Sequence, residues 1–219
     1  MTATDAPPDA GSTRARLIRA AIDIVATEGA AAVTTVEVCR RVGIAQSSYY
    51  GHFATRDDLL LALAEVVAAH SNVPNRNARQ HYATTRDDRS HRAMFRVPLE
   101  MISNGPELFR LGRIARSAPA DTALGGHARR VDDANRTAVA DLLIEVSGGH
   151  DPALRRRHEM AADCINAMIS ALAEGHVDGR YPDVDELVDL LVLLTRWGRD
   201  MSAWLVQPPG DEVTGPGAR

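Results

Sequence analysis

The chain contains no lysine: all 25 basic residues are arginine, and they face 29 acidic residues for a net charge of −4. A molecule with that balance is not a basic nucleic-acid binder as a whole, so any contact with DNA must come from a local patch. The missing lysine reads as the codon bias of a GC-rich genome. Aromatic residues are scarce, at 4%, and Ala and Leu dominate the apolar set. Strands draw on aromatic and β-branched side chains, so this composition favours packed helices. Two cysteines, Cys39 and Cys164, are too few for a disulfide framework and fit a reducing compartment. No apolar run reaches the roughly 18 residues needed to span a bilayer. The polar start of the chain also lacks the apolar core of a signal peptide. A cytoplasmic protein with no membrane partner is expected.

Catalytic signatures are missing too. His158-Glu159 opens like a zinc-protease motif, but Ala162 stands where the second histidine ligand must be. There is no glycine-rich phosphate loop and no Cys-x-x-Cys, and the eight histidines are scattered. The expectation is a protein with no cofactor, no metal and no enzymatic activity. An active site assembled from distant residues of a helical domain is the alternative.

What is present is helix after helix, about nine in all, with polar tails predicted at residues 1–12 and 207–219. Leu17, Ala21, Ile24 and Val25 form the stripe of a first helix, Thr13 to Glu28, which Gly29 ends. Thr34 and Glu37 have capping-box spacing and open a short second helix that Gly43 breaks. A third short helix is predicted over Gln46–His52. Thr55 and Asp58 repeat the capping signal and open a fourth, expected to end near His70, with boundaries from Ser71 to Asp88 blurred by polarity and Pro74. Helical periodicity returns at about 90–103, 106–117, 122–146, 152–176 and 184–206. The fold class expected is all-α: a three-helix DNA-binding domain at 13–56 and a larger helical domain at 57–206.

Two helices joined by a tight glycine turn, the second short and polar, suit a DNA-reading pair. The stretch from Val38 to Arg56 holds Arg40, Arg41 and Arg56 and no acid, a local +3. A helix entering the major groove needs small hydrogen-bonding side chains outside, and Gln46, Ser47 and Ser48 supply them. Tyr50 and His52 lie where they reach phosphate oxygens, and the helix starts at Thr34 and Thr55 offer amides. Tyr49 and Cys39 read as core. Arg40 and Arg41 read equally as phosphate contacts or as a solvated face.

The stretch from Arg16 to Leu60 resembles the DNA-binding domain of the TetR family of repressors. The matching positions are Ala20-Ala21, Gly29, Thr34, Gly43-Ile44, Tyr50 to Phe53, Thr55-Arg56 and Leu59-Leu60, about a fifth of the chain. The departures are Val25 for a common aromatic, Cys39 for Ala, and Gly51 where a larger side chain often touches the DNA backbone. The resemblance implies base-facing roles for Gln46, Ser47 and Ser48, and phosphate-facing roles for Thr34, Tyr50, His52 and Arg56. It also implies a dimer and a ligand pocket in the second domain, and hence a repressor released by a small molecule.

Dimerisation has a physical motive, since one recognition helix reads too few base pairs, whereas two about 34–36 Å apart read a two-fold operator. The last helix is apolar nearly all round, which implies burial on more than one side. Ile165, Ile169, Leu187, Leu191 and Leu194 are the expected dimer seam. The expected pocket lining is Met94, Phe95, Leu99, Phe109, His127, Met160, Cys164, Trp197 and Met201. Nine arginines from Asn75 to Arg116 face only four acids. That net +5 reads first as a solvated face, with an anionic effector or DNA-backbone contact as the functional alternative. The partners expected are double-stranded operator DNA, a second copy of the chain, and an apolar or anionic effector. A DNA-binding regulator without an effector is the competing reading.

Overall fold

The computed structural model describes residues 11–148 and 154–196. Among them are nine α-helices, one short 3₁₀ turn and no strand. The expected tails, apart from Gly11 and Ser12, and the end of the last helix after Arg196 lie outside the described residues.

α1 (Thr13–Glu28) starts at Ser12, whose hydroxyl accepts the Ala15 amide at 3.2 Å, and ends at Gly29 with φ +84°. That φ strains any L side chain, so the glycine is needed there. The 3₁₀ turn (Ala30–Ala32) leads to α2 (Thr35–Val42), capped by the Thr34 hydroxyl on the Glu37 amide. The expected return bond from Glu37 is replaced: its carboxylate accepts from Arg40 and Arg41. Gly43, in the left-handed region at φ +73°, ends α2. α3 (Gln46–Tyr50) is two residues shorter than expected, because the chain turns at Gly51 and His52.

α4 (Arg56–Thr85) opens with a complete capping box. The Thr55 amide donates to the Asp58 carboxylate at 2.8 Å, and the Asp58 amide to the Thr55 hydroxyl at 3.1 Å. It does not stop near His70 but runs through Pro74 for fifteen further residues. Proline removes the amide that would bond the His70 carbonyl. His70 is exposed, so water can serve that carbonyl and the helix survives the interruption. α5 (Asp88–Asn104) likewise passes Pro98, and α6 (Pro106–Ser117) begins with its proline at the helix start, where no amide is required. α7 (Ala123–Ser147), α8 (Arg155–Val177) and α9 (Val184–Arg196) complete the chain.

Packing divides the molecule into two compact units. The first combines the described residues up to Val73 with Met101–Asp132; the second combines Pro74–Glu100 with the described residues from Asp133 on. The helix-turn-helix expected at 13–56 lies wholly within the first unit. Its core joins Leu17, Ile24 and Val25 of α1, Val38 and Cys39 of α2, Tyr49, Phe53, Leu59, Leu60 and Leu63, with Leu111 and Ala115 of α6 closing the other side.

In the second unit α5 and α9 run antiparallel, laced by Arg92 to Asp189, Arg96 to Asp185 and, in the opposite sense, Arg196 to Asp88. Arg96 also meets Glu100, and Arg86 donates to the Glu145 carbonyl at 2.9 Å. The arginine-rich stretch is therefore largely engaged within the fold, as a solvated, paired face. Buried His91 stacks on Tyr82, with ring centroids 4.8 Å apart, and its Nε2 lies 3.0 Å from the Thr195 hydroxyl. Thr195 sends its one proton to the Leu191 carbonyl at 2.7 Å, so His91 Nε2 is the donor. His158, which opened the protease-like motif, is buried, its Nδ1 donating to the Leu154 carbonyl at 3.0 Å. It is a satisfied core histidine.

Candidate nucleic-acid interface

The reading helix is short, and its seat is built from aromatic packing. Tyr49 is fully buried; its hydroxyl donates to the Thr55 carbonyl at 3.0 Å. Phe53 lies 5.7 Å from it and Tyr50 meets it edge-on at 5.5 Å. Burial pushes the Tyr49 phenol above its ordinary pKa, so it stays a neutral donor. Tyr49 faces inward, while Gln46, Ser47, Ser48 and Tyr50 are exposed. That is the arrangement a groove-reading helix requires: a fixed inner face and a hydrogen-bonding outer one.

The phosphate-facing candidates divide. Tyr50 is 58% exposed, and His52 is exposed as well. Thr34 is exposed, but its hydroxyl already caps α2. Arg56 is exposed, yet it reaches back across the unit: Nε donates to the Val33 carbonyl at 2.6 Å and an Nη to the Ala30 carbonyl at 2.8 Å. Its role in this arrangement is to hold the 3₁₀ turn before α2 against the start of α4.

Electrostatics reduce the local +3 counted in the sequence. Arg40 and Arg41 both bond Glu37, and Arg41 also bonds Glu28. The two guanidiniums, Arg40 first, lower the Glu37 carboxyl to about 2, so the cluster stays ionised and mutually neutralised at neutral pH. Glu37 immediately precedes the Val38–Arg56 stretch, and Glu28 comes from the end of α1. Arg40 and Arg41 are thus paired with acids at the surface of the unit. Cys39 is buried, which raises its thiol pKa and makes it a packing residue rather than a reactive one. Gly51 has an ordinary φ of −71°, and a Cβ there would meet only the Ser48 carbonyl at 3.4 Å. No backbone reason demands a glycine at that position. One neighbour escaped the sequence reading: the Arg14 guanidinium lies over the Phe53 ring, 5.1 Å from its centroid.

The pocket and seam candidates are redistributed. Phe95 and Leu99 are buried in the second unit, Met94 is half-buried there, and Phe109 and His127 are half-buried in the first. Met160 and Cys164 are exposed on α8. Trp197 and Met201 lie outside the described residues. Among the seam candidates, Ile165, Leu187 and Leu191 are buried inside their own unit, while Ile169 and Leu194 are half-buried. The large apolar side chains that α8 and α9 leave exposed are Met160, Leu190 and Leu193. A helix apolar all round does not say which side faces inward, and one residue of error turns the face by about 100°. An open cleft of about 410 Å³ lies between α1 and α2, but Arg16, Arg19, Asp23 and Arg41 line it and make it polar.

The chain's likeness to known proteins agrees with this geometry. A family model described as bacterial regulatory proteins of the TetR family matches residues 17–63. No curated protein matches the sequence at a significant level. Among solved structures, a transcriptional regulator from Pseudomonas aeruginosa PAO1 superposes with a TM-score of 0.68 at 16% identity, covering 87% of this chain and 90% of its own. A regulator from Rhodococcus sp. RHA1 gives 0.65 at 19% identity, covering 85% and 97%. The fatty acid degradation regulator FadR from Bacillus halodurans gives 0.62 at 16% identity, covering 84% and 94%. At such identities the likeness is one of fold. No helix among the described residues is long and apolar enough to cross a membrane.

Proposed function

Because residues 17–63 carry the TetR-family helix-turn-helix within a TetR-like all-α fold, we propose that this protein is a ligand-responsive transcriptional repressor. It binds a two-fold operator as a homodimer and is released by a small-molecule effector. The observation that carries the reading is the seat of α3: Tyr49 buried and bonded to Thr55, with Gln46, Ser47 and Ser48 presented outward together. A short helix so fixed, with its polar side chains exposed, fits the recognition helix of a helix-turn-helix. Gln46 is the residue fitted to pair with adenine, and Tyr50 and His52 the ones fitted to phosphate.

The dimer face in this reading is the outer side of α8 and α9, centred on Met160, Cys164, Leu190 and Leu193, in place of the buried Ile165, Leu187 and Leu191. Water-exposed Leu193, at 53%, and Met160, at 52%, gain most from being covered. The effector acts through α4, whose cap follows α3 directly and which extends from Arg56 to Thr85. A ligand moves such an equilibrium only by binding the DNA-fitting and misfit arrangements unequally.

Genomic footprinting with the purified protein tests the reading. The expected result is a protected two-fold site with half-sites about 34–36 Å apart; uniform weak protection would overturn it. An effector should lower operator affinity, and operator should lower effector affinity by the same factor. The exposure of Met160 and Cys164, both expected in a pocket, supports a second reading, a regulator without an effector. An effector that binds tightly and leaves operator affinity unchanged would select it.

A further inference from the structure

The first turn of α1 has an unusual charge. Helix N-termini favour acidic side chains, because the free amides and the dipole make that end positive. α1 has no acid in its first turn and places Arg14 and Arg16 there instead. Such a cluster of positive charge is relieved by an anion.

Six arginines lie between residues 13 and 56, and five have polar partners. Arg16 donates to the Val42 carbonyl at 2.6 Å, Arg40 and Arg41 to Glu37, and Arg56 to the carbonyls of Val33 and Ala30. Arg19 is engaged as well. Arg14 differs. Its guanidinium rests on the face of Phe53, and among the described residues no carboxylate or carbonyl is paired with it. Stacking on a ring orients the planar fork while leaving the N–H groups at its edge ready to donate.

The position matters as much as the charge. Phe53 follows α3 by three residues and packs on Tyr49, so Arg14 is fixed beside the C-terminal end of the reading helix. An α-helix about 10–12 Å across nearly fills a major groove about 12 Å wide, which brings the phosphate strands against both of its flanks. We infer that Arg14 is a phosphate-binding residue of the DNA interface, gripping the strand beside α3 from the α1 side. This rests on the DNA-binding reading above and adds to it a contact that neither the helix-turn-helix pattern nor the local charge count supplied.

The test is the salt dependence of binding to a mixed-sequence duplex of three helical turns, followed by fluorescence anisotropy. Arg14→Met keeps an unbranched chain over Phe53 and removes the charge; Arg14→Gln removes the charge with a different end group; Arg14→Lys keeps it. Losing one phosphate contact should make the slope of log affinity against log salt shallower by about 0.9 for each protomer bound. Both neutral variants should show that change and Arg14→Lys should not, with helicity by circular dichroism unaltered. A wild-type slope in both neutral variants, still folded, overturns the inference while leaving the DNA-binding reading intact. A wild-type protein that binds no duplex at any salt overturns that reading itself.

Discussion

The Tyr49 hydroxyl and the Thr55 carbonyl meet at 3.0 Å, and this one bond ties the inner face of the reading helix to the residue that caps α4. Tyr49→Phe keeps the ring packing and removes only the bond. It should lower stability by about 1 kcal/mol, the usual net value of a hydrogen bond whose acceptor loses its partner. Thermal melts check the stability, and a parallel anisotropy titration should show weaker binding to the footprinted site. Unchanged melting would mean that the ring packing alone seats α3.

Gln46 and Arg56, both exposed, should fail in different ways. Gln46→Ala is expected to lose about 1–3 kcal/mol of discrimination between the footprinted site and random duplex. Arg56→Ala releases the Val33 and Ala30 carbonyls. Allowing for the exposure of that side chain, it should reduce stability by about 1 kcal/mol. Competition binding against random DNA measures the first and denaturant unfolding the second. Equal loss on both DNAs for Gln46→Ala would move the base-facing role elsewhere.

Leu191 and Leu193 sit two residues apart on α9, one buried and one 53% exposed. Leu193→Arg should therefore leave the protomer folded and split the proposed dimer, while Leu191→Arg buries a charge and costs several kcal/mol of folding stability. Light scattering with circular dichroism distinguishes the two. A Leu193→Arg protein that remains dimeric would place the interface on another face.

His91 gives the stability a pH dependence. Burial, aided by the Arg196 charge and opposed by Asp88, holds its pKa below the ordinary 6.5. The unfolded chain then takes up the proton more readily than the folded one. The stability this residue contributes is present above about 6.5 and is lost as pH falls through the lowered folded value. Melting temperature should drop between neutral and mildly acidic pH, and His91→Gln should flatten that part of the profile. A profile that keeps its wild-type slope in the variant would assign the titration to other groups.

Much of the first unit was legible in the chain because its determinants are local. Gly29, Thr34, Gly43 and the Thr55–Asp58 box all act within a few residues, and each begins or ends the helix expected of it. The periodicity that buries Leu17, Ile24, Val38 and Tyr49 leaves Ser47 and Ser48 outside, and Gln46, in the first turn of α3, is exposed as well. Pro74 was the local signal that misled, since a single missing amide beside a solvated carbonyl does not break a long helix.

What only the tertiary structure decided depends on residues far apart in the chain. The charge of Arg92 and Arg96 looked available until α9 brought Asp189 and Asp185 to them, and Arg56 looked free for DNA until the turn at Ala30–Val33 came within its reach. α9 carries apolar residues on every side, so its own pattern contains no information about which leucines face the unit. That was settled by packing within the unit, where α8 lies against α9, Leu187 and Leu191 are buried, and Leu190 and Leu193 are left to the solvent. Burial belongs to the pair of surfaces that meet, and a single helix states only one of them.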